Sequence, residues 1–194
     1  MINYRLKNRH IILASQSPRR QYLLKELGLD FEICSTKVDE SYPDGMTPEQ
    51  IAIYLAELKS DSFDITRLDE KTIIITADTI VSLGDEILGK PSSYADAVRM
   101  LQKLSGRKHE VITAVCLKSR KKKFTFHVIS SVIFKVLLLE EIEYYIDNFQ
   151  PFDKAGGYGV QEWIGYIGIS KIEGSFFNVM GLPVKELYEE LIRF

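Results

Sequence analysis

Histidine and cysteine are scarce in this chain, at three and two residues. His10, His109 and His127 are scattered, and Cys34 and Cys116 stand far apart, so no pair has the spacing of a zinc site. Both cysteines lie in apolar, strand-like segments, and the sequence predicts buried free thiols in a reducing compartment. Neither sign of charge is in excess: 25 Lys and Arg against 27 Asp and Glu leave a formal net charge of −2. That balance disfavours a nucleic-acid binder working through a broad basic surface. No apolar run is long enough to span a bilayer and no secretory leader is evident, so the expectation is a cytoplasmic protein without a membrane partner. There is no repeat of 20–50 residues, no low-complexity segment and no linker-like stretch, which predicts one domain over 1–194. What is present, 45% hydrophobic and 27% charged residues, is ordinary for a globular chain with a real core.

The elements alternate. Strands are expected near 10–15 and 30–36. In "IILASQSPRRQYLLKELG" a strand meets a short polar turn and then a helix, with Ser17 as N-cap, Pro18 at the first helical position and Gly28 closing it. "MTPEQIAIYLAELKS" reads as a helix with a Thr47–Gln50 capping box. "KTIIITADTIVSL" is a buried strand before a hairpin at "GDE", and "SSYADAVRMLQKLSG" is an amphipathic helix ending at Gly106. Two long strand runs follow, joined across "RKKK", which reads as a solvated hairpin tip. A short helix, a Gly-rich loop at 153–165, a strand and a last helix complete the chain. The pattern predicts an α/β or α+β fold with a mixed sheet.

Three features carry possible chemistry. Arg19 and Arg20 occupy the first turn of a helix, where the backbone is already positive and cations are disfavoured. With Ser15 and Ser17 beside them they would suit a polyphosphate or carboxylate, since arginine donates two hydrogen bonds from a planar fork. The plainer reading pairs both with surface carboxylates. The P-loop pattern is absent. Asp78, followed by Thr79, interrupts an apolar strand, and a buried carboxylate needs a partner or a metal; the alternative places it at a strand end, capping a turn. Lys90 follows the hairpin and could fold back toward Asp78 or be solvated. In "FDKAGGYGVQEWIGY", Asp153, Lys154 and Gln161 offer hydrogen bonds, and the Gln161 amide is able to pair with a base edge, in a loop whose glycines permit close approach.

"LASQSPRRQYLLKELGLDFEI", "ADTIV…ILGKP", "LSGRKHEVITAV" and "DKAGGYGVQ…IEGSFFNVMGLP" occur in one order and at one spacing. Together they closely resemble the Maf family of nucleoside triphosphate pyrophosphatases, over nearly the whole chain except "MINYRLKN". The resemblance implies an α/β fold of the Maf/ITPase kind: a bent mixed β-sheet flanked by helices, with two lobes around a deep cleft. It implies hydrolysis of a nucleoside triphosphate to the monophosphate and pyrophosphate with a divalent metal, Mg²⁺ or Mn²⁺. Asp78 matches the family's proton acceptor; Arg19, Thr79 and Gln161 match positions linked to substrate choice. Ser15, Arg20, Glu40, Lys59 and Lys90 fall at matching cleft positions, with Glu40 and Asp78 as metal ligands. "SPRR", Asp-Thr at 78–79 and "DKAGGYGVQ" resemble the dTTP/UTP branch more than the 7-methyl-GTP branch. Trp163 departs from the smaller residues expected after Gln161. The family also implies a homodimer. Two rival readings stand beside this one: a non-catalytic nucleotide-binding regulator of division or septation, and a nucleic-acid binder using "RKKK" and the helix arginines.

Overall fold

The computed structural model describes residues 6–34 and 37–194. In those residues a seven-stranded mixed sheet runs in the order β2-β1-β3-β5-β6-β7, with β4 paired to β3. The strands are β1 (His10–Leu13), β2 (Glu32–Ile33), β3 (Thr72–Leu83), β4 (Glu86–Leu88), β5 (Lys108–Lys118), β6 (Lys123–Phe134) and β7 (Ile169–Glu173). β1 is parallel to both β2 and β3, whereas β3–β4 and β6–β7 are antiparallel. The helices are α1 (Pro18–Glu26), α2 (Pro48–Asp61), α3 (Tyr94–Leu104), α4 (Leu139–Phe149), α5 (Trp163–Gly168), α6 (Phe176–Met180) and α7 (Val184–Arg193). The expected mixed α/β class is what the chain adopts.

The chain divides into two compact units, each discontinuous in sequence: 1–78, 113–128 and 181–194 form one, and 79–112 with 129–180 the other. The first contains β1, β2, α1, α2, α7 and the part of β3 from Thr72 to Asp78. Ile12, Ala14 and Ile74 are buried there, with Phe63, Ile65 and Leu68 against them. The predicted capping box of α2 is present: Thr47 Oγ1 accepts from Gln50 N at 3.3 Å, and Gln50 Oε1 accepts from Thr47 N at 2.9 Å. Buried Ile51, Ala52, Leu55 and Ala56 recur at helical spacing along one face of α2.

The second unit has its own core. Ala97, Met100, Leu101 and Leu104 form the buried stripe of α3, and they belong to a cluster with Val111, Phe134, Ile142, Tyr145 and Tyr158. Ser93 caps α3 by accepting from Asp96 N at 3.2 Å. The hairpin after β3 turns at Gly84, φ +62°, as expected from "GDE".

Some local expectations need correction. The strand expected at 30–36 is only Glu32–Ile33, and residues 35 and 36 lie outside the described residues. Cys116 is buried, but Cys34, just beyond that short and exposed strand, is exposed. Ser17 occupies the N-cap of α1 without a side-chain cap bond; instead Ser17 N donates to Ser15 Oγ at 3.2 Å. The Gly-rich segment is not one loop, because it contains two short 3₁₀ turns and α5.

Candidate active site

Alternation along β3 sets the site in the first unit. Thr76 and Asp78, two residues apart, share a strand face. Thr76 Oγ1 donates to the carbonyl of Ala56 in α2 at 2.7 Å. One turn on from Ala56, half-buried Lys59 follows on the same face of α2, and its Nζ donates to Asp78 Oδ1. The same ammonium lies 2.9 Å from Glu40 Oε1. Asp78 is 7% exposed and lies inside the strand, so the alternative of a carboxylate at a strand end is excluded. Lys59 is the partner such a buried carboxylate requires.

Arg20 comes from the first turn of α1. Its Nη1 donates to Ala77 O at 2.8 Å and its Nε to Gly181 O at 2.9 Å. Two of the five guanidinium donors are therefore used on backbone, one of them at the residue preceding Asp78. Burial lowers the Arg20 pKa, Arg19 adds to that, and Asp78 and Glu40 pull it back up. Part of the answer to two arginines at a positive helix end lies in the fold: Arg20 fastens α1 to β3 beside Asp78. Ser15 is buried in the turn before α1, where its carbonyl accepts from Gln21 Nε2 at 3.3 Å. Arg19 is half-buried next to Arg20. Ser15, Arg19, Arg20, Glu40, Lys59 and Asp78 all belong to this unit, and Lys59 joins Asp78 to Glu40 directly.

Thr79, Lys90 and Gln161 belong to the second unit. Thr79 is half-buried on β3, and Lys90 is exposed just after β4. Gln161 is half-buried; its Nε2 approaches Glu162 Oε1 at 3.5 Å, while its Oε1 is enclosed with no hydrogen-bond partner among the described residues.

Of the residues around Gln161, Asp153 and Lys154 were read in the sequence as hydrogen-bonding groups, whereas Glu162 and Tyr145 were missed. Lys154, 7% exposed, pairs with Asp153 at 2.7 Å and with Glu162 Oε1 at 3.1 Å. Tyr145 donates its hydroxyl proton to Glu162 Oε2 and accepts from Gly159 N at 3.0 Å. Burial, then the Glu162 carboxylate, push the Tyr145 pKa up, so it stays a phenol. A Cβ on Gly159 would lie 2.7 Å from Glu162 Cδ, so glycine there makes room for the carboxylate. Glu162 was legible only as a charge after Gln161, and Tyr145 had no signal beyond a helix stripe. Trp163 opens α5 and packs against Tyr144, ring centroids 4.7 Å apart.

The "RKKK" tip is exposed as expected, yet it is tied down. Arg120 donates to the carbonyls of Ile65 and Thr66 at 3.3 and 2.6 Å, and Lys123 pairs with Asp61 and Glu57 at 2.8 and 3.2 Å.

Fold and centre together define an α/β protein with a charge-compensated carboxylate buried on an interior strand of a mixed sheet. The chain belongs to the Maf family: the family model described as Maf-like protein matches residues 10–194. It is similar to a dTTP/UTP pyrophosphatase of Parabacteroides distasonis, 50% identical over 190 residues that cover 97% of this chain and 98% of the relative. A dTTP/UTP pyrophosphatase of Flavobacterium psychrophilum is 48% identical over 192 residues, covering 99% and 98%. One of Christiangramia forsetii is 49% identical over 191 residues, covering 98% and 97%.

Proposed function

We propose that this chain hydrolyses dTTP and UTP to the monophosphate and pyrophosphate. The observation that carries the reading is Asp78, a buried carboxylate held by Lys59 in a chain about half identical, end to end, to relatives named for that reaction. Water attacks the α-phosphorus and pyrophosphate leaves. Asp78 takes the proton or orients the attacking water. Lys59, Arg19 and Lys90 neutralise phosphate charge as the leaving group departs, with Arg20 holding the Asp78 strand in place.

The donor set fits a hard divalent cation, Mg²⁺ or Mn²⁺: Asp78 and Glu40 offer carboxylate oxygens around one shared ammonium. Among the described residues no group of three or more His, Cys, Asp and Glu could hold a metal. A two-carboxylate site suits an ion that keeps several waters and takes substrate phosphates as ligands. Bound there, the metal would lower the pKa of water and offset phosphate charge.

Gln161 selects the base. Its unpartnered Oε1 is an acceptor for the imide N–H of uracil or thymine, reached by a change of rotamer in this half-buried side chain. Thr79 and Ser15 line the substrate. A homodimer and a cytoplasmic location complete the proposal, and equilibrium sedimentation checks the first. No described helix is long and apolar enough to cross a membrane. The test is a panel of nucleotides with Mg²⁺, resolving pyrophosphate from orthophosphate. Turnover to pyrophosphate with UTP and dTTP supports the enzyme; intact triphosphate favours the non-catalytic regulator instead.

A further inference from the structure

We propose that Lys59 is a resident counter-cation that a divalent metal must displace, so that the metal enters with its nucleotide and not before it. This rests on the reading of Asp78 and Glu40 as metal ligands. Lys59 Nζ contacts both carboxylates at once, at 2.9 Å from Glu40 Oε1 and in a hydrogen bond to Asp78 Oδ1. It therefore occupies the place between the two carboxylates that would hold a metal. Arg20 feels both carboxylates as well. Two negative charges are met by two positive ones, and a bare dication gains little from a centre already neutralised. It would also have to expel an ammonium whose side chain is only 17% exposed.

A nucleotide changes this balance. The triphosphate brings more negative charge than its metal cancels, and so offers the displaced ammonium a new anionic partner. Lysine suits this exchange, because its ammonium is a point charge on a flexible four-carbon stem. The stem is rooted on the buried face of α2, one turn beyond Leu55 and Ala56. Swinging the ammonium from Asp78 to phosphate needs side-chain torsions only. On this account Lys59 is a positioning residue in the resting protein and a phosphate ligand in the loaded one, and Asp78 is released only when substrate has arrived.

The test is Mn²⁺ binding to the full chain without nucleotide, followed by electron paramagnetic resonance of free Mn²⁺ and by calorimetry. Lys59→Met removes the charge and keeps most of the stem; it should bind Mn²⁺ at least tenfold more tightly than wild type. Lys59→Arg, which keeps the charge, should not gain. Adding Asp78→Asn to Lys59→Met should abolish the gain. Should Lys59→Met fail to fold by circular dichroism, Lys59→Gln carries the same expectation with a polar end. Equal or weaker Mn²⁺ binding in the neutral variants overturns the proposal, as does tight Mn²⁺ binding by wild type. Because nothing is turned over in this measurement, its failure is distinct from failure of the pyrophosphatase reading, which shows in the products of the nucleotide assay.

Discussion

Arg20→Ala separates a fold role from a ligand role with one measurement of stability. From the sequence alone, removing a cation from a helix N-terminus should relieve about 0.3–1 kcal/mol of unfavourable dipole interaction. The structure reverses the sign. Arg20 donates to the carbonyls of Ala77 and Gly181 at 2.8 and 2.9 Å, and truncation removes one donor from each. Hydrogen bonds from a charged group contribute about 1.5–3 kcal/mol each, and water re-entering a half-buried site recovers part of that. After subtracting the dipole relief, the net loss should be about 2–4 kcal/mol. For a chain of this size that corresponds to a fall in Tm of about 4–16 °C. Arg20→Lys restores the charge but not the two-pronged geometry and should recover less than half. Differential scanning calorimetry decides it: an unchanged or raised Tm for a folded Arg20→Ala protein refutes the anchoring role.

Gln161→Ala should lower kcat/KM for UTP and dTTP about ten- to a hundredfold, from a lost pairing of about 1–3 kcal/mol. It should change ATP much less, and equal losses on UTP and ATP would remove the base-selecting role. Gly165→Ala places a Cβ 2.0 Å from the Val160 carbonyl oxygen. Because that neighbour is backbone, the cost should be about 3 kcal/mol or more, and urea unfolding at wild-type stability would contradict the packing. His109 donates to or accepts from the Tyr158 hydroxyl at 2.7 Å, and burial pushes its pKa down to about 4 from 6.5, against the pull of the Arg107 backbone. The unfolded chain binds this proton near pH 6.5 and the folded one only near 4, so stability falls as pH drops through that window, by roughly 3 kcal/mol in all. His109→Gln should flatten this slope, and an unchanged slope would exclude His109 as its source.

The long elements were legible because their signals are periodic. The capping box of α2 and the stripe of α3 are local statements, and the structure keeps both. Asp78 was legible for a different reason: a lone acid in an apolar strand is an electrostatic anomaly that demands a partner. Which lysine answers it was not legible from spacing, since Lys59 reaches Asp78 across 19 positions through the packing of α2 on β3. Resemblance to the family singled out Lys59, and geometry gave it a specific partner. Arg20 shows the limit most plainly. Helix position offered it as an anion ligand or a partner of surface carboxylates, and two of its hydrogen bonds go to carbonyls 57 and 161 positions away, which no local rule anticipates. The Glu162–Tyr145–Lys154 network was legible only in part: Lys154 stood out as a hydrogen-bonding residue of the Gly-rich segment, but its partner Glu162 and the tyrosine behind that carboxylate looked ordinary in their own segments.

In the proposed mechanism Asp78 serves the release of pyrophosphate from a pyrimidine triphosphate. The most direct test measures products from UTP and Mg²⁺ in wild-type and Asp78→Asn proteins, after circular dichroism shows both folded. Wild type should release one pyrophosphate for each UMP, without orthophosphate, and kcat should fall about 10²-fold or more in the variant. Orthophosphate with UDP as the products, or Asp78→Asn turning over at the wild-type rate, would contradict it.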